Sequence, residues 1–177
     1  MWQKSNFDVQ NRPESSGRFF GGLVTAGYLV TLGIFHADQM TNNKTIDPKE
    51  ILASAKNILL IDWPNKDVLK TLLNAGFTVF SYSPGRYTRA EILRRDDHNE
   101  SDLVFHELPG IPGLIDIVNI YRPEQEHGDI ISKHVLPLNA KVVWLHPPVV
   151  SEKTRSRVHE HGLIFVEGVS ISEAAQR

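Results

Sequence analysis

The chain has 177 residues, 41% hydrophobic and 23% charged, which suits a globular protein of one domain plus an extension. A net charge of −2 and the lack of any Lys/Arg run exclude a generic nucleic-acid binder, which needs a clustered positive surface. The absence of cysteine excludes disulfides, thiolate nucleophiles, iron–sulfur clusters and cysteine-ligated zinc; it fits a reducing compartment, and a cytoplasmic location is expected.

Residues 1–18 are polar and contain Pro13, Ser15, Ser16 and Gly17, the composition of an irregular tail. The uncharged run "FFGGLVTAGYLVTLGIF", residues 19–35, sits at the lower limit of length for a membrane span and carries four glycines. A helix or hairpin packed on the domain or on another subunit is the favoured reading, and a membrane anchor is the alternative. Nothing before or after the run has the form of a signal peptide. The expected organisation is therefore an extension over residues 1–43 and a domain over 44–177, with homo-oligomerisation expected.

From Thr45 the pattern becomes regular. Asp47 and Pro48 open a short helix in "TIDPKEILASAKN" as N-cap and first helical residue, with Ile51, Leu52 and Ala55 as its apolar face. "NILLIDW" is a continuous apolar strand. Val68, Leu69, Leu72 and Leu73 fall at helical spacing, with Asp67 as the expected cap and Gly76 as the stop. "FTVFSY" is the second strand, followed by the turn "SPGRYT". "TRAEILRR" reads as a short helix, "DDHNES" as a polar loop and "LVFHEL" as a short strand. After the break "PGIPG" come the strand "LIDIVNIY", the helix "PEQEHGDIISKHVL" and the strand "AKVVWL". A helix from Ser151 to Gly162, the strand "LIFVEG" and a terminal helical turn complete the chain.

Strands alternating with helices, each strand a near-continuous apolar run, predict an α/β fold. It is a Rossmann-like three-layer sandwich with a mostly parallel sheet of about five strands. Ligands in such sheets bind beyond the carboxyl ends of the strands. That rule selects Asp62 to Lys66, Ser83 to Tyr87, Tyr121 to Glu124 and His146 to Pro148. The first of these loops raises a difficulty, since no glycine lies between Asn57 and Ala75 to let a phosphate approach the backbone.

Residues 44–177 resemble the small, single-domain CoA-binding proteins, related to the CoA-binding domain of succinyl-CoA synthetase alpha subunits. The resemblance rests on "ILASAKNILLID", "LLNAGFTVFSYSP", "ELPGIPGLIDIVNIYRPEQ" and "AKVVWLHPPVVSEKTRSRVHEHGLIFVEG", taken in that order. It implies coenzyme A or an acyl-CoA as ligand, with no metal. By position Trp63, Pro64 and Asn65 would face the diphosphate. Ser83, Pro84 and Arg86 would lie near the adenosine or its 3′-phosphate, and Arg122 would reach in from the third loop. The chain departs from the pattern where the family usually has a glycine, here Asp62, and where it has Gln and Gly after Trp-Leu, here His146, Pro147 and Pro148. Lys66 is the one cation left in the shortened first loop. The Cys common near the end of the domain is absent.

Each candidate also has a structural role open to it. Asp62 can cap the following turn, Trp63 can cover the core edge, and Arg122 can pair with Glu124 or Asp116. His159 and His161 stand two apart, the wrong spacing for a metal pair on a helix. No nucleophile–base constellation or Walker loop is present. The sequence thus points to a non-catalytic module for CoA, acyl-CoA or a related nucleotide. The alternative is a degenerate Rossmann domain that has lost its ligand site and acts as a structural or oligomerising protein. Convergence of Arg86 and Arg122 on a cleft lined by Trp63 favours the first; Asp62 or Trp63 filling that cleft favours the second.

Overall fold

The chain divides into two units, Met1–Asn42 and Asn43–Arg177. The computed structural model describes residues 47–83, 85–94 and 101–176, all in the second unit. The expected extension and its apolar segment, 19–35, lie outside the described residues. Among those described, no helix is long and apolar enough to cross a membrane.

Five strands form a parallel sheet: β1 (Asn57–Ile61), β2 (Thr78–Ser83), β5 (Ile117–Ile120), β6 (Val142–Leu145) and β7 (Ile164–Val166). Two further strands, β3 (Arg86–Arg94) and β4 (Ser101–Glu107), extend it antiparallel beyond β2. The order across the sheet is β4-β3-β2-β1-β5-β6-β7. Chain order therefore reverses between β1 and β5, the topological switch point of an open α/β sheet.

Successive side chains of a strand point to opposite faces. Ile58 and Leu60 of β1 enter one core, together with Ile117, Val142 and Trp144. Helices α1 (Pro48–Ser54), α2 (Lys66–Asn74) and α5 (Ile171–Ala175) cover that face. Leu59 and Ile61 enter the other core with Val118, Ile120 and Val143. It is covered by α3 (Glu124–Ile130), by the π-helical turn Ile131–Val135 that continues it, and by α4 (Glu152–Glu160). The three-layer expectation holds, and doubly buried strands explain why β1, β5 and β6 read as near-continuous apolar runs, Asn119 of β5 being the polar exception.

Two local readings are corrected. "TRAEILR", residues 88–94, belongs to strand β3 and is not a helix. The register Ser83↔Arg86 leaves only two residues between β2 and β3, and Gly85 supplies the left-handed backbone (φ 89°) that such a tight hairpin needs. Pairing on both sides, to β2 and β4, then overrides helix propensity. The cap of α2 is Asn65, not Asp67: its side-chain oxygen accepts from the amides of Asp67 (2.9 Å) and Val68 (3.4 Å). Asp47 and Ser151 cap α1 and α4 as expected.

Candidate functional site

A cleft of about 410 Å³ opens beyond the carboxyl ends of β1 and β2, against α3 and its π turn. Ile61, which ends β1, and Asp62, which follows it, form one wall; Tyr82 and Ser83 end β2 and form the next. Arg122, which follows β5, stands at the edge, and the helical side contributes Glu126, Asp129, Lys133 and His134. The cleft thus lies at the switch point, where the crossover from β5 passes over the opposite face from α2.

Arg122 is the organising side chain. Nε and one terminal nitrogen donate to the two carboxylate oxygens of Glu126, both at 2.9 Å, and the other terminal nitrogen donates to Oδ2 of Asp62 at 3.1 Å. These bonds hold the guanidinium charged, raising its pKa further, Glu126 first and Asp62 second. The partners are therefore Glu126 and Asp62, not Glu124 or Asp116. Asp116 sits at the other end of the sheet, accepting from the amides of Lys56 and Asn57. Glu124 receives a bond from Ser151.

The backbone of Arg122 is fixed from behind. Its carbonyl meets Nε2 of the buried His127 at 2.8 Å. A carbonyl only accepts, so Nε2 carries the proton, and Nδ1 takes a bond from the Thr154 hydroxyl at 2.6 Å. Through His127, α4 locks the loop that presents Arg122.

Asp62 has a left-handed backbone, φ 65°, a conformation glycine adopts freely and Asp tolerates. Its Oδ1 accepts from the Trp63 amide at 2.9 Å while Oδ2 reaches Arg122. The position keeps a glycine-like backbone and adds a carboxylate to the cleft.

The aromatic wall is a connected set. The Tyr82 and His134 ring centroids lie 4.1 Å apart, and the Tyr87 hydroxyl meets His134 Nδ1 at 2.6 Å. Burial pushes the Tyr87 pKa up and that of His134 down, the latter with help from Lys133. Tyr87 therefore keeps its proton and donates, and neutral His134 carries its own on Nε2. Lys133 bonds Asp129 at 2.8 Å, which raises the pKa of the lysine and lowers that of the carboxyl.

Of the residues singled out from sequence, Asp62, Ser83 and Arg122 line this cleft. Trp63 turns away, stacks on Phe105 at 5.9 Å and packs on the core of the α1/α2/α5 face. Pro64, Asn65 and Lys66 are exposed, and Asn65 spends its side chain on the α2 cap. Arg86 is exposed and bonded to Glu107 at 3.2 Å, outside the cleft. Pro84 lies outside the described residues. His146, directly after β6, is buried, with its ring edge-on to Tyr121 and Nδ1 without a partner among the described residues; burial lowers its pKa. The sequence reading missed Tyr82, Glu126, Asp129, Lys133 and His134. The i, i+4 spacings of Arg122–Glu126 and Asp129–Lys133 were the available signal.

As arranged, both cations of the cleft hold carboxylates, and the first amides of α2 hold Asn65. A diphosphate entering the cleft meets both cations already partly neutralised by these carboxylates, with the N–H groups of Arg122 and Lys133 that they leave free as its charged donors. Among the described residues, no group of His, Asp and Glu is placed to hold a metal ion.

Comparison with known proteins agrees with this architecture. A protein redesigned for binding shares 21% identity over 72% of this chain and 87% of its own, with a TM-score of 0.55. A hypothetical protein from Pyrococcus horikoshii shares 22% over the same fractions, also at 0.55. A protein from Thermus thermophilus shares 18% over 71% of this chain and 92% of its own, at 0.53. At these identities the likeness is one of fold. No curated protein matches the chain. The model of the CoA binding domain family matches residues 61–172, from the end of β1 into α5, and the chain belongs to that family.

Proposed function

We propose that this chain is a non-catalytic binding module that takes CoA, an acyl-CoA or a related nucleotide in the switch-point cleft. The observation that carries the reading is the position of Arg122. It presents a planar guanidinium at the edge of a cleft at the carboxyl ends of the parallel strands, and that fork suits phosphate or carboxylate oxygens. Family membership supports the CoA class of ligand. Ile61, Ile130, Tyr82 and His134 offer the apolar and aromatic surface a nucleotide base or pantetheine arm would cover.

Isothermal titration of the full chain with CoA, dephospho-CoA and ADP tests the reading. Micromolar binding is expected, weakened by Arg122→Ala, which leaves the Asp62 and Glu126 carboxylates unpaired in the cleft to repel an anionic ligand. No heat at millimolar ligand sinks it.

A second reading, a domain that has lost its ligand and serves as a structural or oligomerising protein, is favoured by one observation. Asp62 already occupies the cleft as a partner of Arg122. In that case the titrations are silent and the elution volume of the chain reports a self-assembled species.

A further inference from the structure

We propose that Asp62 is the specificity residue of the switch-point cleft: an internal counter-ion whose carboxylate occupies the place on Arg122 that an anionic ligand group would take. The inference rests on the cleft-binding reading above but does not require that the native chain binds CoA.

Three observations carry it. First, the two carboxylates on Arg122 are not equivalent. Glu126, four residues on in the first turn of α3, holds two nitrogens of the fork, both at 2.9 Å, and so fixes the guanidinium plane. Asp62 comes from a different strand, sixty positions away, and engages only the remaining nitrogen, at 3.1 Å. Glu126 therefore orients the arginine, while Asp62 sits as counter-ion on the terminal nitrogen that Glu126 leaves. Second, Asp62 itself lines the cleft, so its carboxylate lies where ligand atoms would go. Third, its backbone has φ 65°. That conformation does not need a carboxylate. Glycine adopts it without strain, and Asn tolerates it. The side chain can thus be removed or neutralised with the backbone of the β1–α2 junction kept.

An anionic group entering the cleft meets an arginine whose charge Asp62 already offsets at that nitrogen, and bears the repulsion of the Asp62 carboxylate at close range. Removing the carboxylate reverses both effects. A carboxylate or phosphate group is the ligand chemistry the vacated donor would accept.

The experiment compares the full chain with Asp62→Gly, Asp62→Asn and the double variant Asp62→Gly/Arg122→Ala. Each is titrated calorimetrically with ADP, inorganic phosphate and CoA, and circular dichroism checks folding. Asp62→Gly is expected to bind ADP at least about tenfold more tightly than the native chain, with a smaller gain for inorganic phosphate. The double variant should lose the gain. Asp62→Asn, which keeps the side-chain volume and removes the charge, should show part of it and stands in if the glycine variant folds poorly. Folded Asp62 variants that bind ADP within about twofold of the native chain would overturn the proposal. So would a gain that survives loss of Arg122. A silent native chain with a binding Asp62→Gly variant removes the native-binding reading and leaves this one standing. Native CoA binding unchanged by either substitution does the reverse.

Discussion

Asn119 is the least expected residue in the core, and replacing it with leucine should stabilise the protein. It is the third residue of β5, flanked in register by Leu60 of β1 and Trp144 of β6, and it is fully buried. Neither its amide nitrogen nor its oxygen meets a partner among the described residues. Burying an amide in this way costs about 1–3 kcal/mol. Leucine has nearly the same shape and adds apolar burial worth about 2 kcal/mol, against about 1–2 kcal/mol for repacking beside Trp144. The net gain is about 2 kcal/mol. With a urea m-value of about 2 kcal/mol/M, the midpoint should rise by about 1 M. Equilibrium unfolding in urea, followed by far-UV circular dichroism, measures this directly. The isosteric Asn119→Asp, which places a charge at the same site, should lower the midpoint. A fall in the midpoint of Asn119→Leu at unchanged m would refute the reasoning, because it would mean that the native amide contributes a bond that leucine cannot replace.

Three other outcomes follow from the same geometry. Trp63→Ala should cost about 2 kcal/mol through the lost stack on Phe105 and lost burial, yet leave ligand titrations at the cleft unchanged, since Trp63 faces the other core. Trp144→Phe should cost about 2–3 kcal/mol in urea unfolding: it leaves a gap at a fully buried position and deprives the Val169 carbonyl of the indole N–H it accepts at 2.8 Å. Stability should also fall on mild acidification. Burial depresses the pKa of His134 and His146 below the ordinary 6.5, so the unfolded chain binds protons first as the pH drops through 6.5. The contribution is complete above that value and declines toward the depressed folded values. Urea midpoints at pH 7.5 and 5.5 should differ in that sense, with the difference reduced in His134→Gln and in His146→Gln.

What could be read in the sequence was whatever depends on local chemistry or on burial from both sides. "IVNI" and "VVWL" announce central strands because every position in them is buried, and Ser151 announces a helix start because its hydroxyl satisfies the Thr154 amide. "TRAEILRR" was misread because its local propensity is helical, while the conformation of residues 88–94 is set by partners in β2 and β4. The site divides in the same way. The rule about carboxyl ends finds Asp62, Ser83 and Arg122, which end strands or follow them directly. It cannot say which face a crossover covers, so it assigned Trp63 to a cleft lying on the opposite face. It also passed over Lys133 and His134, which reach the cleft through the π turn after α3.

The arrangement around Arg122 bears on what kind of ligand such a cleft can select. An anionic group that replaces Asp62 makes one charge-assisted bond and breaks another of the same type, so the exchange itself contributes little. The partners are also about half exposed: the side chains of Arg122, Asp62 and Glu126 retain 41%, 49% and 44% of their accessible surface. Exposed pairs are worth about 0–1 kcal/mol. Affinity must therefore come from the part of the ligand that covers Ile61, Ile130, Tyr82 and His134, where apolar area is removed from water and where the Tyr87 bond already holds the His134 ring in place. Charge at Arg122 then decides which ligands are refused more than how tightly one is held. On this argument the aromatic wall and Asp62 have separable effects: substitutions at Tyr82 change affinity for all ligands alike, and substitutions at Asp62 change the ranking of anionic against uncharged ones.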